Sequence, residues 1–218
     1  MRIGLLGGTF DPVHCGHIEL ALLALRLAEL EVVYLVTAAI PPHKVQGTEA
    51  SYPDRHAMVS LAAMNQSKLI PSSLENNRYG KSYSIDTIQQ LKKLFGKSSE
   101  VFFIMGLDSF FDIACWKDFD LLPELCRFLI FSRPGSQENQ LRLKIPKDFL
   151  NDIYVIKDKN ESVLQVSHRF VLYQNFSNSL SSTDIRKRIW EGKDVSEQLP
   201  TSVNEYITKN CLYRGTSI

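Results

Sequence analysis

His14 and His17 stand three residues apart in the stretch Gly7-Gly8-Thr9-Phe10-Asp11-Pro12-Val13-His14-Cys15-Gly16-His17. On a helical turn that spacing puts two side chains on one face. Two imidazoles at the foot of a helix can donate hydrogen bonds to phosphate oxygens, and their charge would offset what builds on a phosphoryl group during transfer. The glycines ahead of them allow a sharp turn and close approach of a ligand to the backbone. Backbone N–H groups at a helix N-terminus add a further attraction for anions. The plainer alternative is one capping histidine and one surface histidine. Zinc is a poor fit, because no third ligand stands near the His-x-x-His pair.

A second phosphate-type element is Ser181-Ser182-Thr183 with Arg186 one turn on. Hydroxyls and free N–H groups at a helix start suit phosphate oxygens, as does arginine's planar fork. The alternative is an ordinary N-cap with a solvated arginine. Asp108 follows an apolar run, where a carboxylate can accept ribose hydroxyls, support a magnesium shell or cap a helix. Trp116 offers a flat indole that could stack on a planar ring of a ligand or simply pack in the core. The start of the helix holding Thr87 offers N–H groups to a carboxylate. Lys44, in the proline-stiffened run Pro41-Pro42-His43-Lys44, reads on its own as an exposed lysine.

The elements that must position these groups alternate. Arg2 to Leu6 is nearly all apolar and reads as a buried strand, with Gly7-Gly8 as the turn after it. Leu20, Leu23, Ala24 and Leu27 recur at helical spacing. A second strand follows over Glu31–Thr37, then a loop over residues 38–52 and a helix from Pro53 to about Met64. Leu69–Glu75 is ambiguous, a short strand being one reading. A third helix starts at Ser84-Ile85-Asp86-Thr87 and ends at Gly96. Val101–Gly106 and Arg127–Ser132 read as buried strands. Residues 136–179 carry a weak signal enclosing two β-like runs, Ile153–Ile156 and Phe170–Tyr173. Helices begin again after Ser181-Ser182-Thr183 and at Pro200. The alternation predicts an α/β fold: a doubly wound, mostly parallel sheet with helices on both faces, closed by C-terminal helices. Ligands in such sheets lie outside the carboxyl ends of the strands, at the point where strand order reverses. Gly7–His17 and Met105–Asp108 both fall at strand ends.

The 218 residues suit one domain, residues 1–218, with about 180–218 as a C-terminal helical part. Twenty-five Lys and Arg against 24 Asp and Glu leave a formal charge of +1, which argues against a nucleic-acid partner. Cys15, Cys115, Cys126 and Cys211 form no C-x-x-C pair and read as free thiols in a reducing compartment. No apolar run is long enough to span a bilayer, and no signal peptide is visible. These features together point to a cytoplasmic protein.

Gly7–His17 resembles the signature of the nucleotidyltransferase superfamily, written T-x-x-H or H-x-G-H. More narrowly, the chain resembles the bacterial nicotinate-nucleotide adenylyltransferases. The further matches are Pro41-Pro42-His43-Lys44, Asp54-Arg55, Ser82-Tyr83-Ser84-Ile85-Asp86-Thr87, Met105-Gly106-Leu107-Asp108-Ser109, Trp116, Arg133-Pro134-Gly135 and Ser181-Ser182-Thr183-Asp184-Ile185-Arg186. They run in family order to about residue 208, with residues 136–179 unmatched. The resemblance implies a Rossmann-like nucleotidyltransferase fold and adenylyl transfer from ATP to nicotinate mononucleotide, giving deamido-NAD and pyrophosphate. It implies His14 and His17 as catalytic residues. It places ATP against Gly8, Thr9, Phe10, His14, His17, Gly106, Asp108, Ser182, Thr183 and Arg186, and the acceptor against Lys44, Thr87 and Trp116. Magnesium would ride on the substrate phosphates, with no metal ligands from the protein. The implied partners are ATP and nicotinate mononucleotide, with no nucleic acid and no membrane. A homo-oligomer is compatible with the sequence. The rival readings are nicotinamide mononucleotide or another phosphate acceptor such as phosphopantetheine, a nucleotide sensor without turnover, and an RNA-binding or synthetase-like fragment.

Overall fold

A computed structural model of the chain describes residues 1–42, 47–96, 98–132 and 140–214. Seven strands form one sheet in the order β3-β2-β1-β4-β5-β7-β6, and every neighbouring pair is parallel. The strands are β1 Arg2–Gly8, β2 Val32–Thr37, β3 Leu69–Ser72, β4 Glu100–Gly106, β5 Arg127–Phe131, β6 Ile153–Ile156 and β7 Phe170–Tyr173. The longer helices are α1 Cys15–Leu27, α2 Tyr52–Ala63 and α3 Ser84–Phe95. Short α4 Leu107–Phe110, α5 Leu122–Leu125, α6 Leu141–Lys144 and α7 Lys147–Leu150 follow, and then α8 Ser182–Trp190 and α9 Thr201–Lys209. The expected α/β architecture with its C-terminal helices is therefore what the chain adopts. Among the described residues no helix is long and apolar enough to cross a membrane.

Strand alternation divides the core between the two faces. Phe102 and Ile104 of β4 pack on one side with α1, α2, α8 and α9, through Leu20, Met58, Ile185 and Val203 among others. Val101, Phe103 and Met105 pack on the other with Ile85, Ile88 and Leu91 of α3. Side chains at successive strand positions point to opposite faces, so continuous apolar runs fit strands covered on both sides. The unmatched region joins the same sheet. β7 is buried throughout and lies between β5 and the edge strand β6.

One detail of the first strand differs from its sequence reading. β1 continues through Gly8, whose register partner on β2 is Thr37. Gly7 and Gly8 are thus extended strand, not the turn. The left-handed residue of the turn is Phe10, with φ 51°. Gly8 makes a close approach instead: a Cβ there would lie 3.0 Å from the Phe10 ring, which would have to give by a few tenths of an ångström.

Strand order reverses between β1 and β4, which pair in register from Arg2–Glu100 to Leu6–Ile104. The segments leaving β1 and β2 are pinned together from behind by Arg55 of α2, 1% exposed. Its guanidinium donates to the carbonyls of Thr9 (2.6 Å), Ala38 (2.8 Å) and Ala39 (3.4 Å). Burial lowers its pKa from the ordinary arginine value, and the nearby Asp11 charge opposes that shift. An arginine stays charged under such shifts, so the carbonyls keep a cationic donor. Arg55→Ala would leave buried carbonyls without partners and a void in the core. It should lower stability by about 3 kcal/mol, read as a shift in the urea unfolding midpoint. An unchanged midpoint would mean the pin carries no weight.

Candidate active site

The loop between β1 and α1 carries Thr9 to Val13, with a cis Asp11–Pro12 peptide. Its carbonyls are taken up by donors from distant elements. Ala38 N–H donates to Gly8 O at 2.9 Å, and Arg55 to Thr9 O at 2.6 Å. Arg186 Nη1 donates to Asp11 O at 2.7 Å, and Ser182 Oγ to Pro12 O at 2.8 Å. The buried Asp11 carboxylate accepts from the N–H groups of Glu49 (2.9 Å) and Ala50 (3.1 Å) and from the Tyr213 hydroxyl (2.8 Å). Burial first, and then the Asp11 charge, push the Tyr213 phenol well above its usual range, so it stays a donor. With the carbonyl oxygens of Gly8, Thr9, Asp11 and Pro12 already bonded, this stretch has fewer free acceptors to repel an anion.

His14 is the N-cap of α1, and it closes a capping box with His17. The backbone N–H of His14 donates to His17 Nδ1 at 3.2 Å. A neutral ring that accepts at Nδ1 carries its proton on Nε2, so His17 keeps a donor on its far edge. The two rings stack with centroids 3.7 Å apart, and Phe10 meets His17 edge-on at 5.0 Å. His17 lines a cavity at the strand ends, whereas His14 is 3% exposed. The capping alternative is thus realised in His14, but its partner is the second histidine and not a surface residue. The N–H of Cys15 donates to Gln198 O at 3.0 Å, so the segment before α9 also holds the helix start.

The cavity, of about 380 Å³, opens at the carboxyl ends of β1 and β4. Gly7, Gly8, Thr9 and His17 line one side, and Gly106 and Asp108 the β4 side. Gly106 is the N-cap of α4, and Asp108 is exposed in its first turn. The remaining wall includes Glu75, Tyr83, Ser84, Trp116 and Lys117. Trp116 stands edge-on to Phe103 at 5.6 Å, so the core holds the indole while one surface faces the cavity. Tyr83 is the N-cap residue of α3 and gives it no side-chain cap. Ser82 Oγ accepts from the N–H groups of Ala39 (3.0 Å) and Ile40 (3.2 Å), tying the α3 start to the loop leaving β2.

Among the residues singled out from sequence, the structure gathers Gly8, Thr9, His17, Gly106, Asp108 and Trp116 around this one cavity. Phe10 and His14 lie buried directly behind them. Ser182 and Arg186 grip the loop through its carbonyls, and Thr183 is exposed beside them in the first turn of α8. Arg186 is thus not merely solvated. Thr87 does not line the cavity. It is 1% exposed, and its hydroxyl donates to Glu75 Oε1 (2.6 Å) while accepting from Arg78 Nη2 (2.6 Å). Lys44 and Arg133 lie outside the described residues. Sequence reasoning left Arg55 unassigned and passed over Asp11, Glu75, Lys117 and Tyr213. Their partners are mostly backbone groups or residues far away in the chain. Asp54-Arg55 and Asp11 did stand inside the quoted motifs, which was the available signal.

Gly16 has its own constraint. A Cβ there would fall 2.6 Å from Asn178 Oδ1 and 3.1 Å from His14 Nδ1. Asn178 cannot easily yield, because it donates to Glu19 (2.8 Å) and accepts from Leu180 N–H (2.9 Å). Gly16→Ala should therefore cost about 1–3 kcal/mol through overpacking, seen as a lower melting temperature. A variant as stable as the parent would contradict this close approach.

Comparison with known proteins agrees with the geometry. The family model described as cytidylyltransferase-like matches residues 5–188. A relative from Syntrophotalea carbinolica, named a probable nicotinate-nucleotide adenylyltransferase, is 36% identical and aligns over 99% of this chain and 98% of its own. One of the same name from Desulfitobacterium hafniense is 38% identical, over 98% and 96%. Among solved structures, the Plasmodium falciparum nicotinic acid mononucleotide adenylyltransferase complexed with NaAD shares the fold. Its TM-score is 0.72 at 20% identity, covering 97% of each chain. With its strand order, its histidine-bearing loop and near full-length relatives in agreement, the chain belongs to the cytidylyltransferase-like family and, within it, to the nicotinate-nucleotide adenylyltransferases.

Proposed function

We propose that the protein transfers the adenylyl group of ATP to nicotinate mononucleotide, releasing pyrophosphate and forming deamido-NAD. The observation that carries this reading is a single cavity bordered by the donor-rich histidine loop at one end and by Trp116 and the uncapped start of α3 at the other. The relatives' names support the same chemistry. An acceptor phosphate is already an anion at neutral pH, so it can attack the α-phosphorus without a general base. The P–O bond to pyrophosphate breaks as the new one forms. Catalysis is then in-line positioning with charge stabilisation.

In this reading His14 and His17 act on the transferring and leaving phosphates. Gly8, Thr9 and Phe10 supply backbone groups, and Thr183 and Arg186 hold the triphosphate with Ser182. Gly106 and Asp108 take the adenosine ribose. Trp116 stacks on the pyridine ring, and Lys44 contacts acceptor phosphate. Thr87 contributes through its hold on the first turn of α3, whose N–H groups suit a carboxylate. Magnesium, carried by the nucleotide phosphates, would supply further charge neutralisation. The exposed carboxylate of Asp108 fits a water on that ion, whereas the Asp11 carboxylate is already engaged. One working domain over residues 1–218 and a cytoplasmic setting complete the proposal, the latter supported by four free thiols.

His14→Ala and His17→Ala should each reduce kcat about 100-fold or more with unchanged circular dichroism. Near-normal turnover in both would exclude the histidine mechanism. Pyrophosphate release should be fastest with ATP and nicotinate mononucleotide, slower with nicotinamide mononucleotide, and absent with phosphopantetheine. No release with any of these acceptors would favour the sensor without turnover instead.

A further inference from the structure

The acceptor end of the cavity carries two acid–base pairs that the proposed chemistry does not use. Lys117, next to Trp116, reaches across to the first turn of α3. Its Nζ lies 3.0 Å from Asp86 Oδ1 and 3.4 Å from Oδ2. The same ammonium stands 5.1 Å from the centre of the Tyr83 ring, whose face attracts a cation. Lys117 and Tyr83 both line the cavity. Deeper in, Arg78 pairs with the buried Glu75 at 3.5 Å, with the Thr87 hydroxyl bonded to both.

The charges decide what this end will accept. The α3 N-terminus has no side-chain cap, and its aligned N–H groups favour an anion. Asp86, in that first turn, is such an anion, and it would repel a second one arriving from the ligand. Lys117 offsets Asp86, and Arg78 offsets Glu75, so the helix end is left to attract. Asp118, the next residue, is a further acid near the ammonium and increases the need for it. An ammonium has three donors, so Lys117 can serve a ligand carboxylate while still facing Asp86. A neutral carboxamide would gain much less from the same charge.

We infer that the Lys117–Asp86 pair is a specificity determinant, tuning the acceptor end toward a pyridine ring that bears a carboxylate and away from one that bears an amide. The inference rests on the nicotinate mononucleotide reading. Both residues are partly exposed to solvent, so their variants should fold. The test is the ratio of kcat/KM for nicotinate mononucleotide to that for nicotinamide mononucleotide, measured with ATP on one preparation of each variant. Any loss of folded protein cancels in that ratio. Lys117→Gln should lower it about three- to tenfold. Lys117→Arg should preserve it, and Asp86→Asn should preserve or raise it. Rising ionic strength should lower the wild-type ratio and move that of Lys117→Gln less, because the selecting charges are screened. A wild-type ratio in Lys117→Gln would overturn the inference, as would an equal fall in Lys117→Arg. No turnover of nicotinate mononucleotide by the wild type would remove the functional reading, and the inference with it.

Discussion

The site depends on where the carbonyl groups of one short loop find their partners. A phosphate approaching a bare turn would meet carbonyl oxygens as readily as N–H groups, and the oxygens repel it. Here Gly8 O, Thr9 O, Asp11 O and Pro12 O are bonded to Ala38, Arg55, Arg186 and Ser182. Each carbonyl so bonded is satisfied in advance, so less reorganisation remains for a bound anion to drive. The donors come from the β2 exit, α2 and α8. These elements are therefore part of the site, α2 through its hold on the loop alone.

The same constraint explains the arrangement of the two histidines. A helix start with an imidazole as its N-cap would ordinarily be adjustable. In this chain His14 and His17 cap one another, Gln198 O takes the N–H of Cys15, and Gly16 lets Asn178 press against the helix. The pair is held by contacts on three sides. The short distance between the rings follows from that packing.

Much of this was legible in the sequence because it is written in local order. A strand, two glycines, two histidines and an apolar helix follow one another within 27 residues, and the structure keeps that order. The α3 boundaries at Ser84 and Gly96 were equally plain, since a polar start and a left-handed glycine leave marks in the chain. Strand order beyond β5 was not legible. Periodicity finds Ile153–Ile156 and Phe170–Tyr173 but does not say that the second slots inside the first. Arg55 was opaque for another reason: its partners are main-chain carbonyls 16 to 46 residues away, and carbonyls have no sequence signature. In the run Ser181-Ser182-Thr183, composition could not tell which hydroxyl caps the helix, which turns inward and which stays exposed.

The loop's clamps also have an order in time. Pro12 O waits for Ser182, 170 residues later, Asp11 O for Arg186, 175 later, and the Asp11 carboxylate for Tyr213, 202 later. During synthesis, domains assemble from the N-terminal side as chain emerges. The histidine loop is made long before the residues that clamp it, and it acquires its full set of bonds only after them. A nascent chain can pair β1 with β2 and β4 long before it can complete the bonds of this loop. The shape of the loop is therefore complete only once Tyr213 has been made.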